Sequence, residues 1–270
     1  MISELFTWLT TRCAPQARQL GYLYEAIAMR ERVKRCEASW RSHLTQSRQF
    51  AQACMEQQAL GGIALVLGSG LGLDIPQQAL LNHFDEVWLV DMVHLRSTRK
   101  SWQGSPKVKF IEADVTEVLA SVTRGELEAS QPKRWLDNPD IRFVFSANIL
   151  GQLPVQPLAW LEKHYPYKDE TSLDQWSQQL LQAHLDYLRA FADRGAKVCL
   201  IADLEWHYAE SNQVREVVDA WRGLEQPLPD VRWEWRIAPR GEMGLNRTQT
   251  NWVGGWCWRS DSFTTNIVSA

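Results

Sequence analysis

Residues 63–76 read IALVLGSGLGLDIP, and this stretch decides the fold. A short apolar run of the kind that forms a buried strand leads directly into three alternating glycines, Gly68, Gly70 and Gly72. Glycines let the backbone turn sharply and let a ligand approach it closely. A helix that begins near Asp74 would direct its free N–H groups at that ligand, which favours a carboxylate or phosphate. The stretch therefore predicts a ligand-binding turn between a strand and a helix.

The composition excludes several classes of protein. A chain of 270 residues, 45% of them hydrophobic, can form one large α/β domain with an added segment. A net charge of -3 argues against a nucleic-acid binder, and no run of 18 apolar residues is present to span a membrane. The N-terminus, MISELFTWLTTR, does not have the pattern of a signal peptide. Five scattered cysteines without a CxxC pair predict neither disulfides nor a zinc site, so we expect a reduced, soluble, cytoplasmic protein.

The order of apolar patterns predicts a helical segment followed by an α/β domain. Residues 15–58 repeat apolar side chains at helical spacing, and we expect two or three helices there. From residue 61 onwards, strands alternate with helices, which is typical of a doubly wound parallel sheet. The predicted strands are Ile63–Leu67, Val87–Val90, Val108–Glu112, Ile141–Ala147 and Lys197–Ala202. The predicted helices cover residues 76–83, 93–101, 116–130, 172–193 and 211–222, and Ser172 and Gln175 have the spacing of a capping box.

The C-terminal part has a different rhythm. Residues 231–237 alternate apolar and charged side chains, and residues 248–259 form another strand-like run after a loop with two glycines. The predicted fold class is therefore α/β, a doubly wound, mostly parallel seven-stranded sheet with a C-terminal antiparallel hairpin, preceded by an N-terminal helical segment. We divide the chain into residues 1–58, expected to cover the binding site, and residues 59–270, the α/β domain.

Three polar residues stand where successive predicted strands end. Asp91 follows the second strand, Asp114 the third and Asn148 the fourth. Open α/β sheets bind ligands at this carboxyl edge, where Asp91 can accept both hydroxyls of a ribose and Asp114 an exocyclic adenine amine. A dinucleotide-binding loop would need a third glycine at the position of Leu73, so a nicotinamide-dependent oxidoreductase is disfavoured.

This combination resembles the class I S-adenosylmethionine-dependent methyltransferases over roughly residues 55 to 260. The resemblance implies S-adenosylmethionine as the cofactor and a last strand inserted antiparallel between its neighbours. It implies that Asn148 lies beside the methionine end and faces the methyl group. The other cofactor-binding residues that it implies are Gly68, Ser69, Gly70 and Gly72 at the methionine part, Asp91 at the ribose, Asp114 and Val115 at the adenine, and Met92 next to Asp91.

The acceptor is not identified by the sequence. Methyl transfer needs alignment of the reacting groups more than a catalytic triad, and a general base only for a protonated acceptor. We predict His207 as that base, with Tyr208 and Asn148 as further catalytic residues. Asn148 is not followed by the Pro-Pro-aromatic run of enzymes that methylate nucleobase amines, so an O or N centre of a small molecule or protein is expected, without a metal. The alternative is a non-catalytic methyltransferase-like protein that binds partners.

Overall fold

The computed structural model describes residues 7–258. The N-terminal segment forms one short and one long helix, and five further helices follow in the α/β part. They are α1 (Pro15–Gln19), α2 (Tyr22–Met55), α3 (Gln77–His83), α4 (Arg96–Ser101), α5 (Leu119–Thr123), α6 (Val155–His164) and α7 (Glu170–Asp193), with a 3-10 turn at Leu150–Gln152. Residues 7–10 are also helical. None of the helices in this described range is long and apolar enough to cross a membrane.

All eight strands that follow α2 in the described residues form one mixed sheet. Its strands are β1 (Ile63–Leu67), β2 (Glu86–Asp91), β3 (Val108–Glu112), β4 (Ile141–Ala147), β5 (Lys197–Glu210), β6 (Gln213–Asp219), β7 (Val231–Ala238) and β8 (Arg247–Trp258). The order across the sheet is β3-β2-β1-β4-β5-β8-β7, and β6 pairs with β5 outside this path. The first five strands are parallel, while β8 runs antiparallel between β5 and β7. The predicted α/β fold class, with a mostly parallel sheet and an inserted last strand, is confirmed, but the sheet has eight strands and not seven.

Helices cover both faces of the sheet. Side chains that alternate along β1 and β4 divide between two apolar cores, because successive residues of a strand point to opposite faces. One core contains Ala64 and Phe143 with residues of α2 and α3, and the other contains Leu65 and Val144 with residues of α7. Strand β1 is buried on both sides, which explains why its sequence is continuously apolar.

The predicted helix at 211–222 is wrong. Ser211 and Asn212 both have positive φ, 50° and 65°, which is the conformation of a two-residue hairpin turn. This turn joins β5 to β6, the strand that adds to the predicted seven. Strand β5 continues to Glu210 instead of ending at Ala202. The sequence already contained a signal for this hairpin, since the turn-forming pair Ser211-Asn212 precedes QVREVVD, which has three β-branched valines.

Two helix boundaries also differ from the prediction. The helix predicted at 116–130 is reduced to α5, which ends before Gly125, a residue with φ of 77°. The side chain that caps α7 is that of Asp169, which accepts a hydrogen bond from the Ser172 backbone N–H at 2.8 Å. Ser172 therefore lies within the first turn of the helix, and the capping box predicted from Ser172 and Gln175 is wrong.

A disulfide joins the end of α2 to the last strand. Cys54 and Cys257, which are 203 residues apart in the sequence, form this bond, while Cys13, Cys36 and Cys199 are free. The expectation of a chain without disulfides is wrong, because scattered spacing in the sequence says nothing about which cysteines the fold brings together. The bond fixes the C-terminal end of α2 to the sheet, while residues nearer the N-terminus of the same helix line a cavity.

Candidate active site

A cavity of about 340 Å³ lies between the carboxyl edge of the sheet and helix α2. Its lining includes residues that directly follow β1, β2, β3 and β4, which is where an open α/β sheet is expected to bind ligands. Its volume is within the ordinary range for sites of small molecules. No Lys or Arg among the described residues lines it, whereas four carboxylates do: Glu25, Asp74, Asp91 and Asp114.

The three glycines of the loop have different reasons to be glycine. A Cβ on Gly68 would lie 1.8 Å from Ile149 Cγ2, and one on Gly72 would lie 2.9 Å from Trp102 Nε1. Packing within the protein therefore requires these two. A Cβ on Gly70 would meet nothing closer than the Gly68 carbonyl oxygen at 3.9 Å. Both Gly68 and Gly70 line the cavity, and at Gly70 a positive φ of 49° favours glycine while the space beside it stays open for a ligand.

Asp91 lies at the end of β2 and holds the glycine loop. Its Oδ2 accepts a hydrogen bond from the Gly70 backbone N–H at 2.7 Å. Burial raises the pKa of Asp91 from its ordinary value, while the Gly70 hydrogen bond opposes this rise. A carboxylate has about four acceptor positions, so sites remain for ligand hydroxyls. Tyr22 of α2 lies close by, and its pKa is raised by burial and by the carboxylates of Asp114 and Asp91, so its hydroxyl keeps its proton.

A hydrogen-bonded chain fixes the orientation of Ser69. His94 Nδ1 lies 3.2 Å from Glu112 Oε1, and His94 Nε2 lies 2.9 Å from Ser69 Oγ. Since a carboxylate only accepts, Nδ1 of the neutral ring carries the proton and Nε2 accepts from the Ser69 hydroxyl. Burial lowers the pKa of His94, which favours this neutral form. Ser69, which lines the cavity, therefore has its oxygen lone pairs left for a ligand donor.

Asp114 has a structural role that the sequence did not reveal. Its two carboxylate oxygens accept hydrogen bonds from the Thr116 backbone and hydroxyl and from the backbone N–H groups of Val118 and Leu119. These four donors fill its acceptor capacity and cap the start of α5. Asp114 and Val115 line the cavity, and Met92 lines it too. The adenine contact of Asp114 stays a prediction, and it would have to compete with these four hydrogen bonds.

Asn148 has an unusual backbone and an unpaired side-chain oxygen. Its φ is 52°, a conformation that asparagine adopts more readily than most residues. Its Nδ2 donates to Asp203 Oδ1 at 3.2 Å, which fixes the amide orientation because a carboxylate cannot donate. Asn148 is 8% exposed and lines the cavity, and its Oδ1 has no hydrogen-bond partner in the part of the chain that the structure describes. This amide therefore offers a buried acceptor.

Asp203 joins Asn148 to the antiparallel part of the sheet. Besides Asn148, it accepts hydrogen bonds from Asn251 Nδ2 at 2.9 Å and from Trp206 Nε1 at 2.8 Å. Burial raises the pKa of Asp203 to about 6, although the three donors oppose this rise. Asn251 is the partner of Trp235 across the β7–β8 pair. The polar network thus reaches from the end of β4 to the wall formed by β7.

The second end of the cavity, called the α2–β7 end, is formed by six uncharged residues. They are Met29, Val33, Trp40, His43, Leu44 and Trp235. His43 stacks on Trp235 with ring centroids 4.1 Å apart, and Trp40 packs edge-on against Trp235 at 5.1 Å. His43 follows Tyr22 by 21 residues, or about 31 Å along a helix axis, so this end is distinct from the part of the cavity beside Tyr22.

His207 and Tyr208 do not line the cavity. Both lie on the extension of β5, paired with Thr250 and Gln249 of β8, and His207 Nε2 lies 2.8 Å from Glu205 Oε2. The predicted end of the fifth strand at Ala202 would leave both residues beyond the strand, but β5 continues to Glu210 and includes them. Their catalytic role stays a prediction. Gly72, which is predicted to bind the cofactor, packs on Trp102 and does not line the cavity.

Sequence reasoning missed Asp74, His43 and Trp235 as cavity residues. Asp74 follows the glycine loop directly, and burial raises its pKa to about 6. His43 lies within residues 15–58, where helical spacing predicts only a buried face, and Trp235 lies within residues 231–237, where alternation predicts only a strand. In the described residues, no three His, Cys, Asp or Glu side chains converge as the ligands of a metal ion would.

No family model matches the chain, and no curated protein matches its sequence significantly. Among solved structures, DhpI in complex with SAH is 13% identical with a TM-score of 0.38, covering 88% of this chain and 95% of DhpI. A SAM-dependent methyltransferase of the DUF858 family from Leishmania major is 12% identical with a TM-score of 0.33, covering 93% of this chain and 81% of that protein. These likenesses are remote, and the functional proposal rests on the residues around the cavity.

Proposed function

We propose that the protein is an S-adenosylmethionine-dependent methyltransferase that acts on an O or N centre of an acceptor bound beside Asn148. The observation that carries the proposal is the position of Asp91. Its carboxylate ends β2, holds Gly70 through a 2.7 Å hydrogen bond and lines the same cavity as Asn148 at the end of β4.

The cavity residues fit the groups of this cofactor. The open space above Gly70 admits a ligand against the backbone, and the remaining acceptor positions of Asp91 suit two ribose hydroxyls. The lone pairs of Ser69 Oγ suit an ammonium group, since its hydroxyl proton is donated to His94. Four carboxylates without a lining Lys or Arg in the described chain favour a ligand with positive charge.

The chain's own residues would bind and align the reactants. When bound, S-adenosylmethionine would supply an electrophilic methyl group that an O or N nucleophile takes with loss of its proton. Asn148 Oδ1 would accept a hydrogen bond from that nucleophile, held in place by Asp203. Asp74, with a pKa of about 6, is mostly ionised at neutral pH and is a candidate to receive the proton. Helix α2 would exclude water, and alignment of this kind can contribute about 7–11 kcal/mol.

Calorimetric titration with S-adenosylmethionine and S-adenosylhomocysteine (SAH) tests the proposal. We expect binding to the unmodified protein and at least a hundredfold loss in Asp91→Ala, because two hydrogen bonds to a charged group disappear at about 1.5–3 kcal/mol each. Asp85→Ala is the matched control. Asp85 precedes the same strand and also accepts from a glycine N–H, that of Gly62 at 2.8 Å, but it does not line the cavity.

Two results would contradict the proposal. The first is no binding of either ligand to folded protein. The second is an equal loss in Asp91→Ala and Asp85→Ala, which would mean that the carboxylate matters only for folding. After the first result, the alternative of a methyltransferase-like protein that binds partners without catalysis would be the better account.

A further inference from the structure

The α2–β7 end of the cavity contains a histidine whose proton position is fixed. Trp233 Nε1 donates to His43 Nδ1 at 3.0 Å, so in the neutral ring the proton is on Nε2. Burial lowers the pKa of His43 to about 3, which keeps the ring neutral at physiological pH. His43 therefore cannot act as a base through Nε2, and it can only donate from that atom. Its stacking on Trp235 holds the indole ring in place.

The indole N–H of Trp235 is buried without a partner. Trp235 is 6% exposed and lines the cavity, and its Nε1 has no hydrogen bond within residues 7–258. The neighbouring tryptophans are both paired, since Trp40 Nε1 donates to the Ile237 carbonyl at 2.9 Å and Trp233 donates to His43. Buried donors are normally satisfied, and an unpaired one in a cavity wall indicates a ligand acceptor.

The charge of this end restricts the ligand further. None of its six residues is charged, so an ionised ligand would lose its hydration without gaining a counterion. An anion would also face the four carboxylates elsewhere in the lining. A cationic amine has only donors to offer and would leave the Trp235 N–H unpaired. A neutral ligand with an oxygen acceptor needs no counterion, is not repelled by the carboxylates and pairs with the Trp235 N–H.

We propose that the α2–β7 end binds the methyl acceptor as an uncharged, apolar molecule whose oxygen accepts a hydrogen bond from the Trp235 indole N–H. The ligand's identity as the methyl acceptor rests on the proposed function, while its chemistry follows from the cavity alone. Trp235 is a specificity residue in this scheme, and His43 positions it. The Asp203–Asn251 link places this end next to Asn148.

Three probes of similar size test the ligand chemistry on the unmodified protein: benzamide, benzoate and benzylamine. Their affinities are measured by ligand-observed NMR, with and without SAH. We expect benzamide to bind at least tenfold more tightly than the anion or the cation. In ¹⁵N-labelled protein, the indole N–H signal that is missing in Trp235→Phe should move on addition of benzamide. Equal or tighter binding of benzoate or benzylamine, or no binding of any probe, would overturn the proposal.

A variant pair separates the hydrogen bond from the packing. Trp235→Phe should lower benzamide affinity about five- to tenfold, as expected for one neutral hydrogen bond, and leave SAH affinity unchanged. Trp252→Phe is the control, since Trp252 lies on the neighbouring β8 and does not line the cavity. Unchanged benzamide binding in Trp235→Phe would reject the proposal. If the unmodified protein does not bind SAH, the proposed function is rejected, while the benzamide results still decide the chemistry of this end.

Discussion

The two ends of the cavity differ in charge and in origin. The glycine-loop end presents the Asp91 carboxylate and backbone groups from the edge of the parallel sheet. The α2–β7 end presents Trp40, His43 and Trp235, which come from the N-terminal helix and the antiparallel strands. An acidic wall favours a cationic ligand, and an uncharged aromatic wall favours a neutral one. One cavity can therefore hold two different reactants without a separate domain for each.

Asp203 connects the two ends, and its removal should have the largest effect. In Asp203→Ala, the amides of Asn148 and Asn251 and the Trp206 indole lose their common acceptor. Because buried donors without partners are destabilising, we expect a loss of about 3 kcal/mol in the free energy of unfolding, measured in urea at pH 7. Asp186→Ala, at an exposed carboxylate of α7, should change stability by less than about 0.5 kcal/mol. Similar losses in both variants would mean that the two ends are not coupled through Asp203.

Two glycines of the loop should respond differently to alanine, one through packing and the other through ligand space. Gly68→Ala should lower stability by about 2–4 kcal/mol, because the new methyl group would overlap Ile149 at a φ of 75°. Gly70→Ala should lower it by only about 1–2 kcal/mol, from its positive φ, yet reduce SAH affinity at least tenfold by filling the cavity. Urea denaturation and calorimetry measure the two effects.

Gly195→Ala is the control for backbone strain. Gly195 also has positive φ, 90°, and an added Cβ would meet nothing within 4 Å, but it lies between α7 and β5 away from the cavity. It should match Gly70→Ala in stability and leave SAH affinity unchanged. If Gly70→Ala kept its SAH affinity, the space above this residue would not be ligand space.

The Asp74 carboxylate should lower the stability of the folded protein at neutral pH. Burial raises its pKa from 3.8 to about 6, so the folded state binds the proton more tightly than the unfolded state. Its contribution to stability is therefore lost as pH rises from about 4 through 6. Asp74→Asn should raise the free energy of unfolding by about 1–2 kcal/mol at pH 7.5 and change it little at pH 4. Urea midpoints at both pH values test this, and a gain that is independent of pH would contradict it.

The glycine-loop end could be predicted from the sequence because its signals are local. Gly68 directly follows a recognisable strand, Asp91 ends the next, and Asn148 follows the fourth. Parallel strands place their carboxyl ends at one edge, so the order of elements along the chain is enough to bring these residues together. What local signals did not reveal is which partners each side chain finds, and the strand-end carboxylate of Asp114 proved to be a helix cap.

The α2–β7 end could not be predicted in the same way. His43 and Trp233 are 190 residues apart, and their contact depends on how α2 packs across the inserted strand pair. An apolar stripe on a helix predicts which face is buried but not what lies against it. Likewise, alternation along β7 predicts that Trp235 is buried but not that its N–H lacks a partner.

Glu242 offers the smallest and most selective change. It lies in the loop between β7 and β8 and pairs with Arg35 at 2.6 Å and Arg32 at 3.2 Å, on either side of Val33. Mainly through Arg35, the pKa of Glu242 is lowered to about 2, so this stabilisation is present above pH 4.5 and is lost as pH falls towards 2. Both arginines are more than a third exposed, so we expect Glu242→Gln to lose only about 0.5–1 kcal/mol at pH 7.

Glu242→Gln should also loosen the α2–β7 end alone. We expect its benzamide affinity to fall about twofold with SAH affinity unchanged, because the loop pairs only with the part of α2 that forms this end. Glu126→Gln, which breaks the exposed Arg124 pair away from the cavity, should change neither affinity. In 1 M NaCl the difference in stability should shrink, since exposed ion pairs are screened. A salt-independent loss, or a fall in SAH affinity, would mean that the Glu242 ion pairs support the whole cavity and that its two ends do not respond separately.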